Sequence, residues 1–255
     1  MVCAPPAELR RVAALVFVED LETPELNADD AHHLGEVLRL RPGELVGAAD
    51  GAGSWRICTF TGTGARSRQA PRAPSQKGHF GLEAAGPVLH LEPASPVLEI
   101  GFSWAKAERT EWAVAKLVEL GLDILTPLVA DRTVVRPDRD GAARRTERLQ
   151  RIVRESAMQS RRPFLPRISE SQTVDEVASR ARIGALALAE PGGSTVSLDT
   201  PVILVGPEGG FSPRELALVD NKVSLGDGVL RVETAAVAAG VLLSALRSAA
   251  LVALR

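Results

Sequence analysis

Through residue 91 the apolar positions come in short runs divided by turn residues, a β-rich pattern. Residues 15–18 predict a strand. Residues 29–40 predict one short helix, capped by Asp29 or Asp30, with Leu34, Val37 and Leu38 on one face. Residues 45–49 and 55–61 bracket Asp50-Gly51-Ala52-Gly53, a hairpin signal. Residues 62–78 are rich in Gly, Pro, Ser and Arg, lack apolar periodicity, and read as a loop or disordered insert. Residues 88–91 close this part, and 92–96 read as a linker.

From residue 97 the pattern changes, and strand-like runs at 97–102, 124–129, 183–189, 202–205 and 223–225 alternate with helical periods. Helices are predicted over 107–120, with Gly121 in the C′ position, and over 144–160, with Leu149, Ile152, Val153 and Ala157 facing inward. Further helices are predicted at 174–181, after the start signal Ser212-Pro213-Arg214-Glu215, and from Glu233 to the C-terminus. The alternation predicts an α/β domain over 97–255, with a mainly parallel sheet covered on both faces, behind a smaller β-rich domain over 1–92.

Composition narrows the class. The two cysteines, Cys3 and Cys58, exclude a disulfide scaffold and have no CxxC partner for a metal. They fit a reducing compartment. The adjacent His32 and His33 have no third ligand nearby, and no metal is expected. No signal-peptide pattern is evident, and the uncharged stretch 234–246 is too short to cross a bilayer, so a cytoplasmic protein without membrane contact is expected. The net charge of −2 conceals segregation. Residues 132–167 hold 11 Arg against four acids, and residues 51–82 hold four Arg and one Lys with no acid. Two basic segments in an otherwise acidic chain point to a polyanion-binding face, with a solvated arginine-rich helix as the plainer alternative.

Two glycine-bearing turns carry the candidate chemistry. Gly206-Pro207-Glu208-Gly209-Gly210-Phe211 follows a strand-like run, and Ser224 to Ala235 precedes the last helix. The first lacks the Gly-Lys-Ser/Thr of a P-loop and the GxGxxG of a dinucleotide site. Alone it reads equally as a tight strand-to-helix turn. Together the turns supply flexible backbone flanked by Leu225 and Leu230, which suits an adenine ring. Arg231 and Glu233 would stand at the mouth of such a pocket.

The run from Ile203 through Ser212, followed by Ser224-Leu225-Gly226 and Leu230-Arg231-Val232-Glu233-Thr234-Ala235, closely resembles the bacterial ribosomal RNA uridine-N3 methyltransferases of the SPOUT superfamily. Lys106, Trp112, Lys116 and Glu119-Leu120-Gly121 resemble the family's first catalytic-domain helix. Glu155, Gln159-Ser160 and Arg162 resemble its arginine-rich helix end, and His32 through Arg39 with Pro42-Gly43 resemble its PUA-like N-terminal barrel. The resemblance implies S-adenosylmethionine held in a C-terminal trefoil knot, a homodimer, and methylation of a uridine N3 in 16S ribosomal RNA of the small subunit. It implies cofactor contacts from Leu204, Gly206, Pro207, Glu208, Gly209, Leu225, Gly226 and Leu230. Two departures stand out: Val232 occupies a position where the family usually has Thr, and the insert at 64–78 is longer and more basic than the family's.

N3 methylation requires loss of the N3–H proton and stabilisation of the charge left on the uracil. Arg231 is the expected cation, with Glu233 or Glu208 accepting the proton or orienting the arginine. The uridine is expected to leave its stack. Phosphate contacts are expected from Arg144, Arg148, Arg151, Arg161 and Arg162, with Arg39, Lys106, Lys116 and Gln159 also on the RNA face. Two competing readings remain at this level: a non-catalytic RNA-binding module, and a SPOUT enzyme acting on a ribose 2′-oxygen.

Overall fold

The computed structural model describes residues 5–62, 80–134 and 139–249. All but the first residue of the predicted 62–78 insert therefore lies outside the described residues. Contacts divide the chain into two compact units: Ala4–Pro93 with Ala157–Leu165, and Ala94–Ser156 with Pro166–Arg255.

In the first unit β1 (Ala14–Phe17) pairs in parallel with β2 (Leu45–Ala49), and β2 pairs antiparallel with β3 (Ser54–Gly62). The hairpin between β2 and β3 forms at the predicted turn, where the Asp50 carboxylate accepts from the backbone N–H groups of Ala52 and Ser54. β4 (Phe80–Ala84), which the sequence reading did not predict, pairs with β3, as does β5 (Leu89–His90). Val16, Leu34, Val46, Ala48, Cys58 and Phe60 form the core, and the Phe80 ring stacks on Phe60 with centroids 5.6 Å apart.

The predicted 29–40 helix differs in detail. Asn27 is its cap, accepting from the Asp30 N–H; α1 (Ala28–His32) then widens into a π-helical turn over His33–Val37. The widened turn breaks the 3.6-residue register, so Leu34 stays buried while Val37 and Leu38 are 58% and 44% exposed. Residues 157–165 pack with this unit rather than merely ending a helix. Phe164 bridges to Gly51 and Ala52, and the Leu165 N–H donates to the Gly51 carbonyl at 2.8 Å. Gly53 makes room for it: a Cβ there would stand 2.7 Å from the Phe164 ring.

The second unit is a six-stranded, wholly parallel sheet. It comprises β6 (Glu99–Ser103), β7 (Ile124–Leu128), β8 (Arg167–Ile168), β9 (Leu186–Ser194), β10 (Val202–Val205) and β11 (Asn221–Val223), in the order β11-β9-β10-β6-β7-β8. β6 is buried at all five positions, as a strand covered on both faces must be. The helices are α2 (Ala107–Glu119), α3 (Arg139–Gln159), α4 (Val174–Arg180), α5 (Pro213–Leu218) and α6 (Val232–Arg247). α4 and α5 share a core with Leu128, Leu186, Leu188 and Leu204. α6 packs on α2, β6 and β10, with Gly240 so close to α2 that a Cβ would stand 2.6 Å from Leu117. Two ion pairs, each with one buried partner, staple this unit. Arg180 grips Glu99, whose carboxylate also accepts from the Thr126 hydroxyl at 2.6 Å. Arg247, near the end of α6, bonds Asp123 and the Gly121 carbonyl. No helix among the described residues is long and apolar enough to cross a membrane.

Candidate functional site

Because β9, β10 and β11 are parallel, their carboxyl ends meet at one edge of the sheet, where open α/β sheets bind ligands. Both predicted turns leave from that edge, and between them lies a cavity of about 330 Å³. Gly206, Pro207, Glu208 and Gly209 line one wall, and Leu225, Gly226 and Leu230 line another. Leu204 is displaced from the predicted set: it is fully buried in the core shared with α4 and α5, one pleat away from Val205, which does line the cavity.

The first turn is held from behind. The Gly210 N–H donates to the Pro207 carbonyl at 2.8 Å, and Gly210 adopts a φ of +68°. Arg132 donates to the Gly209 carbonyl at 2.9 Å. Ser212 and Glu215 form the predicted capping box of α5. The buried Glu215 also accepts from the Asp131 N–H, and the Asp131 carboxylate takes the Ser212 hydroxyl and the Arg214 guanidinium. Arg214 reaches Asp175 as well, at 2.7 Å, which holds the Asp175 carboxyl below its usual range. The second turn leaves β11 through a bond from the Ser224 N–H to the Ser194 carbonyl. At Gly210, Gly226 (φ +144°) and Gly228 a Cβ would meet nothing within 4 Å, so these turns present bare backbone beside the cavity.

Three lining residues escaped the sequence reading: Ala189, Glu190 and Pro191. They lie in a bulge of β9. Lys222 pairs with Leu188 but Val223 pairs with Ser194, so residues 189–193 loop out of the ladder. Gly193 lets β11 close against the bulge, since a Cβ there would stand 2.6 Å from the Val223 nitrogen. A strand end with Glu-Pro-Gly-Gly was the signal that could have found it. Burial pushes the Glu190 carboxyl upward, against the pull of the Phe211 N–H and the Lys222 ammonium.

The predicted catalytic residues are placed differently from one another. Glu208 is exposed and lines the cavity. Arg231 is exposed at the N-terminus of α6, with no capping bond from its side chain. Val232 and Ala235, on one face of α6, line the cavity, whereas Glu233 does not. Glu233 instead pairs with Arg109 of α2, Oε1 to Nε at 3.5 Å.

Of the expected RNA contacts, Lys106, Arg144, Arg151 and Gln159 are exposed. Arg148 keeps most of its side chain in solvent while pairing with Glu111 at 2.7 Å, and Lys116 pairs with Glu119 at 2.8 Å. Arg39 lies in the first unit with φ +56°. Two arginines have internal roles instead. Arg161 donates to the carbonyls of Ala13 and Met158, and Arg162 is only 4% exposed, which removes it from a phosphate-facing surface. A basic cluster in sequence does not distinguish arginines that staple a fold from those that face solvent. Arg145, not singled out beforehand, lies 5.8 Å from the centre of the Trp104 ring.

A family model described as an RNA methyltransferase domain matches residues 93–244, and one described as an RNA methyltransferase PUA domain matches residues 26–67. The ribosomal RNA small subunit methyltransferase E of Mycobacterium tuberculosis is 30% identical over 251 residues, covering 89% of this chain and 90% of its own. That of Bacillus subtilis is 24% identical over 242 residues, covering 86% and 88%. A probable rRNA-methyltransferase from Porphyromonas gingivalis superposes with a TM-score of 0.74 at 26% identity, covering 93% of this chain and all of that one. A Legionella pneumophila structure in complex with the bound cofactor SAM superposes with a TM-score of 0.73 at 26% identity, covering 91% and 96%. The chain belongs to the RNA methyltransferase family that includes the ribosomal RNA small subunit methyltransferases E.

Proposed function

We propose that the protein methylates N3 of a uridine in 16S ribosomal RNA, using S-adenosylmethionine. The observation that carries this reading is the cavity shared by the two glycine turns, inside the matched methyltransferase region. Its residues fit the cofactor. Val205, Leu225, Leu230, Val232 and Ala235 supply apolar surface, and the turns supply uncovered backbone for hydrogen bonds. The Legionella neighbour with bound SAM supports the same assignment.

When bound, S-adenosylmethionine supplies an electrophilic methyl on a sulfonium sulfur. An N3–C bond forms as the S–C bond breaks, and the N3 proton leaves. Arg231 stabilises the charge spread over O2, N3 and O4 of the uracil, and Glu208 accepts the proton or passes it to water. Glu233 acts indirectly, by tying α6 to α2 through Arg109. Val232 serves as a wall of the cavity, so the apolar side chain in place of the family's Thr is accommodated there.

Residues 1–92, joined by the segment 157–165, form the PUA-like RNA-binding domain, and the rest of 97–255 the SPOUT domain. Lys106, Arg144, Arg148 and Arg151 contact phosphates, with Arg39 contributing from the first domain. The close packing of α6 on α2 and β6 after the second turn supports a trefoil-knotted C-terminus, and the apolar α6 supports a homodimer. The reading is tested by incubating the protein with small-subunit ribosomal RNA and methyl-labelled S-adenosylmethionine, then digesting to nucleosides. Label in 3-methyluridine is expected; label in a 2′-O-methylnucleoside would move the target to ribose.

A further inference from the structure

Among the described residues, the walls of the cavity carry two carboxylates, Glu190 and Glu208, and no lysine, arginine or histidine. Glu208 is exposed, so water and salt screen it. Glu190 is half-buried, accepts from the Phe211 N–H, and lines the same cavity as the apolar Val205 and Leu225, where a charge acts more strongly. The bulge in β9 brings it there: residues 189–193 leave the ladder between the pairs Leu188–Lys222 and Ser194–Val223. Bulges beside sites commonly re-aim a side chain in this way. Glu190 makes no ion pair among the described residues: the Lys222 ammonium acts on it at a distance and gives its hydrogen bonds to the carbonyls of Leu216 and Val219.

We infer that the Glu190 carboxylate gives this cavity a preference for the cationic sulfonium of S-adenosylmethionine over the neutral thioether left after methyl transfer. The inference rests on the cofactor reading above. The two ligands share adenine, ribose and the amino-acid group, and differ in one methyl and one positive charge. A contact from Glu190 to any shared group would alter both affinities equally, so only a charge preference alters their ratio. Such a preference would favour release of product and reloading, with Glu190 as a positioning and specificity residue rather than a proton carrier.

Calorimetric titration of the full chain with S-adenosylmethionine, S-adenosylhomocysteine and an analogue carrying an amine-bearing carbon in place of the sulfonium tests this. The wild-type protein is expected to bind both cationic ligands at least about fivefold more tightly than the thioether, roughly 1 kcal/mol. Glu190→Gln is expected to bring the three within about twofold, and Glu190→Asp to keep most of the preference. The wild-type ligand series decides the matter even if a variant misfolds. Equal or tighter wild-type binding of the thioether overturns the inference, as does a parallel loss of all three ligands in Glu190→Gln. Absence of binding by any ligand to the wild type overturns the cofactor reading and the inference with it.

Discussion

Nε of Arg109 on α2 stands 3.5 Å from Oε1 of Glu233 on α6, so the acidic residue nearest the expected catalytic arginine in sequence is turned away from the cavity. The pair links the first turn of α6, which lines the cavity through Val232 and Ala235, to the helix that Gly240 meets at close range. Glu233 is partly shielded, with its side chain 12% exposed, while Arg109 is more open. A double-mutant cycle of Arg109→Ala and Glu233→Ala in urea unfolding should return a coupling of about 0.5–1 kcal/mol. A coupling of zero would show that the contact contributes nothing to holding α6.

Arg231 makes no ion pair among the described residues and stands exposed beside the cavity wall. Its replacement should therefore leave the fold and cofactor site nearly intact. Arg231→Ala is expected to lower kcat by about 100-fold or more while S-adenosylmethionine affinity changes less than about threefold. Single-turnover rates with calorimetry separate the two quantities. Near wild-type turnover would remove Arg231 from the transition state.

Burial raises the Glu190 carboxyl in the folded protein above its unfolded value, with Phe211 N–H and Lys222 acting the other way and exposed Glu208 also lining the cavity. A carboxyl with a raised folded value favours folding below its unfolded pKa and loses that contribution as pH rises through the folded value. The ligand-free protein should therefore lose stability through this group on going from about pH 4 toward neutrality. Glu190→Gln should raise the Tm of the ligand-free protein at pH 7.5 and bring no gain at the acid end. A lower Tm at pH 7.5 would mean that the charged carboxylate stabilises the fold.

Arg151 and Arg162 lie in one basic run but have opposite exposures. Removing Arg151 should weaken RNA binding and reduce the slope of log K against log [salt] by about 0.7–0.9. Arg162→Ala should instead lower the unfolding midpoint, because its side chain is buried. Equal salt slopes for wild type and Arg151→Ala would take Arg151 off the RNA face.

The α/β alternation after residue 97 was legible because its elements are long or well punctuated. Gly121 terminates α2 with a φ of +93°, and Ser212-Pro213 with Glu215 starts α5 as the capping rules require. The two turns that wall the cavity were legible for the same reason. What escaped depended on pairing partners far away in sequence. β4, Phe-Gly-Leu-Glu-Ala with no buried position, lacks a strand-like apolar run, and β8 has only two residues; both exist because neighbouring strands supply a ladder. The bulge that delivers Glu190 exists only in the register between β9 and β11. The π-helical turn at His33–Val37 accompanies the seating of Gly35 against the Phe80 ring, a contact between residues 45 positions apart. Leu204 and Arg162 were misplaced because a sequence marks which residues are apolar or basic, not which face or depth they occupy.

The most direct measurement is nucleoside mass spectrometry of small-subunit ribosomal RNA from cells lacking this protein, complemented by the wild-type chain or by Arg231→Ala. 3-Methyluridine is expected to be absent without the protein, restored by the wild type and not restored by Arg231→Ala. Unchanged 3-methyluridine in the deletion strain, or loss of a 2′-O-methylnucleoside in its place, would contradict this.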